Sequence, residues 1–160
     1  MKINVGCGMR VLPGYENIDK YVSAPGVLVG DVKALPHATG TVDAVLAEDI
    51  LEHFPRNEWR DALAEWVRVL KPDGIITIQF PDMVILAKEL IAAGTDHVRW
   101  EHWNRKVFGG QGDGIGPGVG MFHYTGFSYA YLRHHCETIG LAYISHHFNE
   151  ANCTLVMRKT

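Results

Sequence analysis

Five short runs rich in valine and isoleucine punctuate the first half of the chain, and each ends in a glycine, a carboxylate or a proline. Ile3 to Val5 runs into Gly6-Cys7-Gly8, and Tyr15 to Asp19 ends in its own carboxylate. Val27 to Val29 meets Gly30-Asp31, Val42 to Ala47 meets Glu48-Asp49, and Ile75 to Phe80 is halted by Pro81. Runs this short and this continuously apolar read as parallel strands buried on both faces. Parallel strands need crossover connections, so the helices must lie between them.

The clearest helix precedes the fifth run. Trp59, Ala62, Leu63, Trp66, Val67 and Leu70 fall at i, i+3, i+4, i+7, i+8 and i+11, one apolar stripe at helical period. Asn57 is the expected cap, Glu58 and Asp61 suit the positive end of the dipole, and Pro72 and Gly74 stop the helix. A second helix is predicted from Met83 to Ala93, capped by Asp82 and ended by Gly94. A third is predicted from Tyr129 to Ile139, capped by Ser128. Two closing strands, Leu141 to Phe148 and Cys153 to Met157, share a turn at Asn149 to Asn152 and predict an antiparallel hairpin at one sheet edge. The fold class expected is α/β: a Rossmann-like, mostly parallel sheet flanked by helices, with a C-terminal antiparallel edge hairpin.

The length of 160 residues fits one domain, residues 1–160. Within it, residues 95–125 match neither period and read as an irregular lid or substrate loop, with Gly109, Gly110, Gly112, Gly114, Gly116, Gly118 and Gly120 at its centre. A net charge of −3 argues against a non-specific nucleic-acid binder. Cys7, Cys136 and Cys153 are odd in number and show no CxxC spacing, so a disulfide framework is not expected and reduced thiols in a cytoplasm are. No apolar run reaches the length of a membrane span. No metal site is expected either, because the adjacent pairs His134-His135 and His146-His147 point their side chains apart.

In open α/β sheets ligands bind outside the carboxyl ends of the strands. Four successive strand tips here carry glycine or carboxylate. The glycines at 6 and 8 let backbone approach a ligand, and Asp19 can accept the hydroxyls of a ribose. The gap from Gly8 to Asp19 is eleven residues, shorter than the dinucleotide fingerprint requires. Pro13 and Gly14 sit inside it, so the first crossover is expected to be a turn or loop without a helix. That argues against a dinucleotide-binding dehydrogenase. It also predicts an under-covered face of the sheet, and with it a homodimer or a partner.

Ile3-Asn4-Val5-Gly6-Cys7-Gly8 with Gly14-Tyr15-Glu16-Asn17-Ile18-Asp19 resembles the first two motifs of class I SAM-dependent methyltransferases. Gly30-Asp31 with Leu35-Pro36 resembles the third motif, and Val42-Asp43-Ala44-Val45 leading into Leu51-Glu52-His53 the fourth. Val69-Leu70-Lys71-Pro72-Asp73-Gly74 resembles the segment before the fifth strand. The likeness is closest to the small type 11 group, some of whose members are associated with glycan biosynthesis. It implies S-adenosylmethionine as cofactor, with Gly6 and Gly8 beside its methionine part, Asp19 on the ribose, Asp31 and the Val32 backbone at the adenine, and Glu48 and Asp49 near the amino-acid end.

An acceptor hydroxyl or protonated amine must lose a proton, and histidine is the usual recipient near neutral pH. His53, just past the fourth strand, and His123, in Phe122-His123-Tyr124-Thr125-Gly126-Phe127, are the candidates for that role. The function expected is methyl transfer to an oxygen or nitrogen of a small molecule or glycan. The competing expectation is a non-catalytic SAM-binding module acting through a partner protein.

Overall fold

The computed structural model describes residues 1–110 and 121–160. Its main sheet has seven strands: β1 (Lys2–Val5), β2 (Glu16–Asp19), β3 (Val27–Val29), β4 (Val42–Glu48), β5 (Leu70–Pro81), β8 (Leu141–Asn149) and β9 (Asn152–Lys159). The order across it is β3-β2-β1-β4-β5-β9-β8. The first five strands are parallel, and β9 pairs antiparallel with both β5 and β8. The fold is thus a Rossmann-like, mostly parallel sheet closed by an antiparallel hairpin at one edge. The strand order reverses between β1 and β4, so their carboxyl ends open the crevice where such sheets take ligands.

Between β4 and β5 lie a short 3-10 turn (Leu51–His53) and helix α1 (Trp59–Val69). The apolar stripe of α1 is the core: Trp59, Ala62, Leu63 and Trp66 are buried against Ile3, Val5, Val45, Ile76 and Ile78 of the sheet. Trp59 meets Phe127 edge-on at 5.1 Å between ring centroids, a geometry that adds about 0.5–1.5 kcal/mol beyond the area buried.

Two details of α1 correct the sequence reading. Asn57 does not cap it; Glu58 holds the N-cap position without a side-chain bond, and the Pro55 carbonyl takes the N–H groups of Glu58 and Trp59. The helix also ends at Val69. Leu70 is already extended, with ψ 138°, and opens β5. Lys71 is the residue before Pro72 and so disfavours helix. Residues 71–74 are skipped in the ladder, which runs from Val42↔Leu70 to Ala44↔Ile75.

Helix α2 (Met83–Ala93) begins as expected, the Asp82 carboxylate accepting from the N–H groups of Val84 and Ile85. Helix α4 (Tyr129–Thr138) is capped by Ser128, whose hydroxyl accepts from the N–H of Tyr131. Asp82 also accepts from the N–H of Tyr129 at 2.7 Å, tying the start of α4 to the start of α2.

The largest correction falls on 95–125. Its first part is not irregular: His97–Phe108 forms helix α3, capped by the Asp96 carboxylate. None of its residues is buried, and weak apolar patterning is why periodicity missed it. A two-stranded ribbon follows, β6 (Gly109–Gly110) against β7 (Met121–Phe122). Gly109 has φ 77°, and a Cβ there would lie 1.7 Å from the Met121 carbonyl oxygen, so the ribbon closes only on glycine. The glycines at 112, 114, 116, 118 and 120 lie outside the described residues.

Candidate active site

The connection from β1 to β2 contains no helix. Two buried asparagines hold it instead. Asn17 brackets Leu12, accepting its N–H at 2.9 Å and donating to its carbonyl at 3.2 Å. Asn4 donates to the Asn17 carbonyl oxygen at 3.0 Å and to the Arg10 carbonyl at 3.2 Å. These side chains satisfy loop backbone that a crossover helix would have satisfied internally.

At the strand tips this loop meets a cavity of about 410 Å³. Gly6, Gly8, Asp19, Asp31, Val32 and Asp49 line it, together with Tyr21, Ile50, His53, Phe54, Met121 and Tyr124. The fold therefore gathers six of the seven residues expected to hold the cofactor. The seventh, Glu48, is not on the lining; its carboxylate is paired with Arg10. That is the correction to the Glu48 reading: the side chain steadies the first loop.

Asp19 is 8% exposed, and backbone amides surround it. One oxygen accepts the Gly8 N–H at 2.9 Å; the other accepts from Tyr21 at 2.8 Å and Val22 at 3.0 Å. A carboxylate offers about four acceptor positions, so one remains for a ligand hydroxyl, on the oxygen shared with Gly8. Asp31 accepts from the Lys20 ammonium at 2.8 Å and from the Lys33 N–H at 2.9 Å. Burial opposes its charge, but these bonds prevail and hold the carboxyl below its ordinary range. The indole N–H of Trp66 donates to the Val32 carbonyl at 2.9 Å, and the Glu65 carboxylate accepts from the Leu35 N–H at 2.8 Å. Helix α1 thus positions the loop after β3, so Trp66, a member of the buried core stripe, also shapes the cavity wall.

Asp49 has φ 49°, in the left-handed region that aspartate tolerates better than most residues. Gln79 and Asn152 donate to its two oxygens at 3.0 and 3.1 Å. Asp49 also lines a second cavity, of about 520 Å³, and so do His53 and Met121. The remaining wall of this cavity includes Glu52, His102, Arg105, Lys106, His123 and Asn152.

The two candidate histidines meet here, ring centroids 5.0 Å apart and nearly edge-on. The Phe122 carbonyl lies 2.8 Å from His53 Nδ1. A carbonyl only accepts, so Nδ1 carries the proton and Nε2 the lone pair. Burial lowers the pKa of both rings; for His123 the neighbouring His53 adds to the effect. Both are therefore neutral imidazoles at pH 7.

Sequence reasoning passed over Glu52 as part of a motif. It is 2% exposed, and neither carboxylate oxygen has a hydrogen-bond partner among the described residues. Burial, then the charge of Asp49, pushes its carboxyl well above the ordinary range. A glutamate between Leu51 and a histidine, in an otherwise apolar turn, was the available signal. In the other histidine pairs, His135 packs edge-on to Trp59 and His146 stacks on Tyr129, while His134 and His147 are exposed.

The family model described as a methyltransferase domain matches residues 14–78. A search of curated proteins returns no match. Among solved structures, the chain is similar to a possible histamine N-methyltransferase from Thermotoga maritima, with TM-score 0.63 and 16% identity, covering 99% of this chain and 82% of that one. It is also similar to the 1,6-didemethyltoxoflavin-N1-methyltransferase of Burkholderia thailandensis, solved with bound 1,6-didemethyltoxoflavin and S-adenosylhomocysteine, at TM-score 0.65 and 16% identity over 99% and 70% of the two chains. A third, the magnesium protoporphyrin IX methyltransferase of Synechocystis PCC 6803 with bound S-adenosylhomocysteine, gives 0.64 and 14% over 100% and 74%. The family match covers the part of the chain from residue 14 to residue 78, and these solved structures share its fold.

Proposed function

We propose that the chain moves a methyl group from S-adenosylmethionine to an oxygen or nitrogen of a small molecule or glycan, with the cofactor in the first cavity and the acceptor in the second. The observation that carries this reading is the junction: the two cavities share Asp49, His53 and Met121.

The first cavity suits the cofactor. Beyond Gly8 a Cβ would meet nothing within 4 Å, so the turn presents bare backbone to the space. Carboxylates at 19, 31, 49 and 58 and aromatic rings at 21, 54 and 124 rim it, a setting that favours a cation. When bound, S-adenosylmethionine supplies an electrophilic methyl on a sulfonium. Asp19 takes the ribose, Asp31 and the Val32 backbone the adenine, and Gly6, Gly8 and Asp49 the methionine arm.

On the acceptor side the chain orients the nucleophile and handles its proton. His53 and His123, neutral and half-buried, take that work. Of the segment read as a lid, α3 contributes His102, Arg105 and Lys106 to the acceptor wall. Three free, buried cysteines fit a reducing, cytoplasmic setting. The histidine-lined second cavity favours an enzyme over a non-catalytic module.

The test has two arms. Calorimetry with S-adenosylhomocysteine should give saturable binding that Asp19→Ala weakens. Labelled S-adenosylmethionine with a cell extract should then give a labelled product, and His123→Ala should reduce its formation more than it reduces cofactor affinity. Absence of affinity for the nucleoside would end this reading.

A further inference from the structure

We propose that Glu52, His53 and His123 form a binding site for a divalent transition-metal ion in the wall of the second cavity. One ligand atom from each of these three side chains lies within 4.8 Å of the other two. His123 Nε2 stands 4.0 Å from Glu52 Oε1.

Three observations converge on a cation. The Glu52 carboxylate is sealed from solvent, and neither oxygen has a hydrogen-bond partner among the described residues. A buried carboxylate left this way is costly unless a proton or a cation meets it. His53 donates its Nδ1 proton to a backbone carbonyl, the outer-sphere bond that fixes the tautomer of metal-bound histidines and leaves Nε2 as the ligand. Two imidazoles and one carboxylate are also the donor set of catalytic zinc and of non-haem iron, which keep open coordination positions. Those positions belong to the cavity that Asp49, His102 and Asn152 also line.

Bound ligands stand about 2.0–2.2 Å from zinc, so binding draws the three side chains inward by about an ångström. His53 ends the turn at Leu51–His53 and His123 follows the β6–β7 ribbon, so neither histidine stands on a strand of the main sheet. Glu52 and His53 are neighbours in sequence, and His123 arrives from seventy residues away. No ligand spacing announces the site.

Metal-depleted protein is titrated with zinc sulfate by calorimetry and with cobalt chloride by visible absorption. One saturable equivalent is expected, with cobalt giving ligand-field bands. Glu52→Gln and His123→Gln should each weaken zinc at least about tenfold. His147→Gln, at an exposed position of the edge hairpin, should leave it unchanged. Binding of S-adenosylhomocysteine by the variants reports that they are folded, and His123→Gln carries the test if Glu52→Gln does not fold. No saturable zinc binding, or equal affinity in Glu52→Gln, overturns the inference. Metal binding without nucleoside binding would instead sink the methyl-transfer reading and leave this site standing.

Discussion

The backbone N–H of Gly8 donates to the Asp19 carboxylate at 2.9 Å, so the glycine turn after β1 and the acid at the tip of β2 form one unit. Asp19→Ala removes the acceptor for Gly8, Tyr21 and Val22 together. We expect about 1–3 kcal/mol lost from folding stability and at least about a tenfold loss of S-adenosylhomocysteine affinity, roughly 1.4 kcal/mol. Asp19→Asn keeps one oxygen for Tyr21 and Val22 but sets an amide against the Gly8 N–H, so it should spare stability more than affinity. Urea unfolding beside calorimetry separates the two. Equal affinity in both variants and the parent would remove Asp19 from the ribose.

The glycines at 6 and 8 should respond differently to alanine. Both have positive φ, 64° and 53°, which costs an L-residue about 1–2 kcal/mol. At Gly6 the new Cβ also falls 1.9 Å from Ile50 Cδ1, forcing that side chain to move; at Gly8 it meets nothing within 4 Å. Gly6→Ala should therefore lower the urea midpoint further than Gly8→Ala. The reverse order would contradict the packing of Ile50 against the turn.

Trp66→Phe isolates the indole bond to Val32. The ring stays apolar, but the Val32 carbonyl loses its buried donor, at about 1–3 kcal/mol. Because Val32 lines the first cavity, where the nucleoside is proposed to bind, nucleoside affinity should fall too. Calorimetry showing unchanged affinity would confine Trp66 to the core.

Burial pushes the thiols of Cys136 and Cys153 up to about 12. The thiolate is the reactive form, so neither should be alkylated at pH 8 in the native protein, and both should be after denaturation. Mass spectrometry after brief iodoacetamide treatment reads this directly. The unfolded chain loses these protons near pH 9 while the folded chain keeps them. Stability from these groups is thus full below pH 9 and declines as pH rises towards 12. Rapid native labelling of either cysteine would contradict their burial.

The fold was legible because its strands and helices carry local signals. The five apolar runs, the stripe of α1 and the caps Asp82 and Ser128 each speak through neighbours in sequence. Most of the lining of the first cavity was legible for the same reason, since Gly6, Gly8, Asp19, Asp31 and Asp49 sit at strand tips. Helix α3 was hidden because it buries no stripe. The placing of Glu52 beside His123, and the pairing of Glu48 with Arg10 away from the cavity, depend on contacts between distant segments, which no local pattern encodes.

Asp49, His53 and Met121 belong to both cavities. Two ligands that press on the same three side chains do not bind independently. Whatever factor the nucleoside imposes on the acceptor's dissociation constant, the acceptor must impose on the nucleoside's. In the arrangement proposed, one left-handed aspartate and its two neighbours carry the coupling between the two sites.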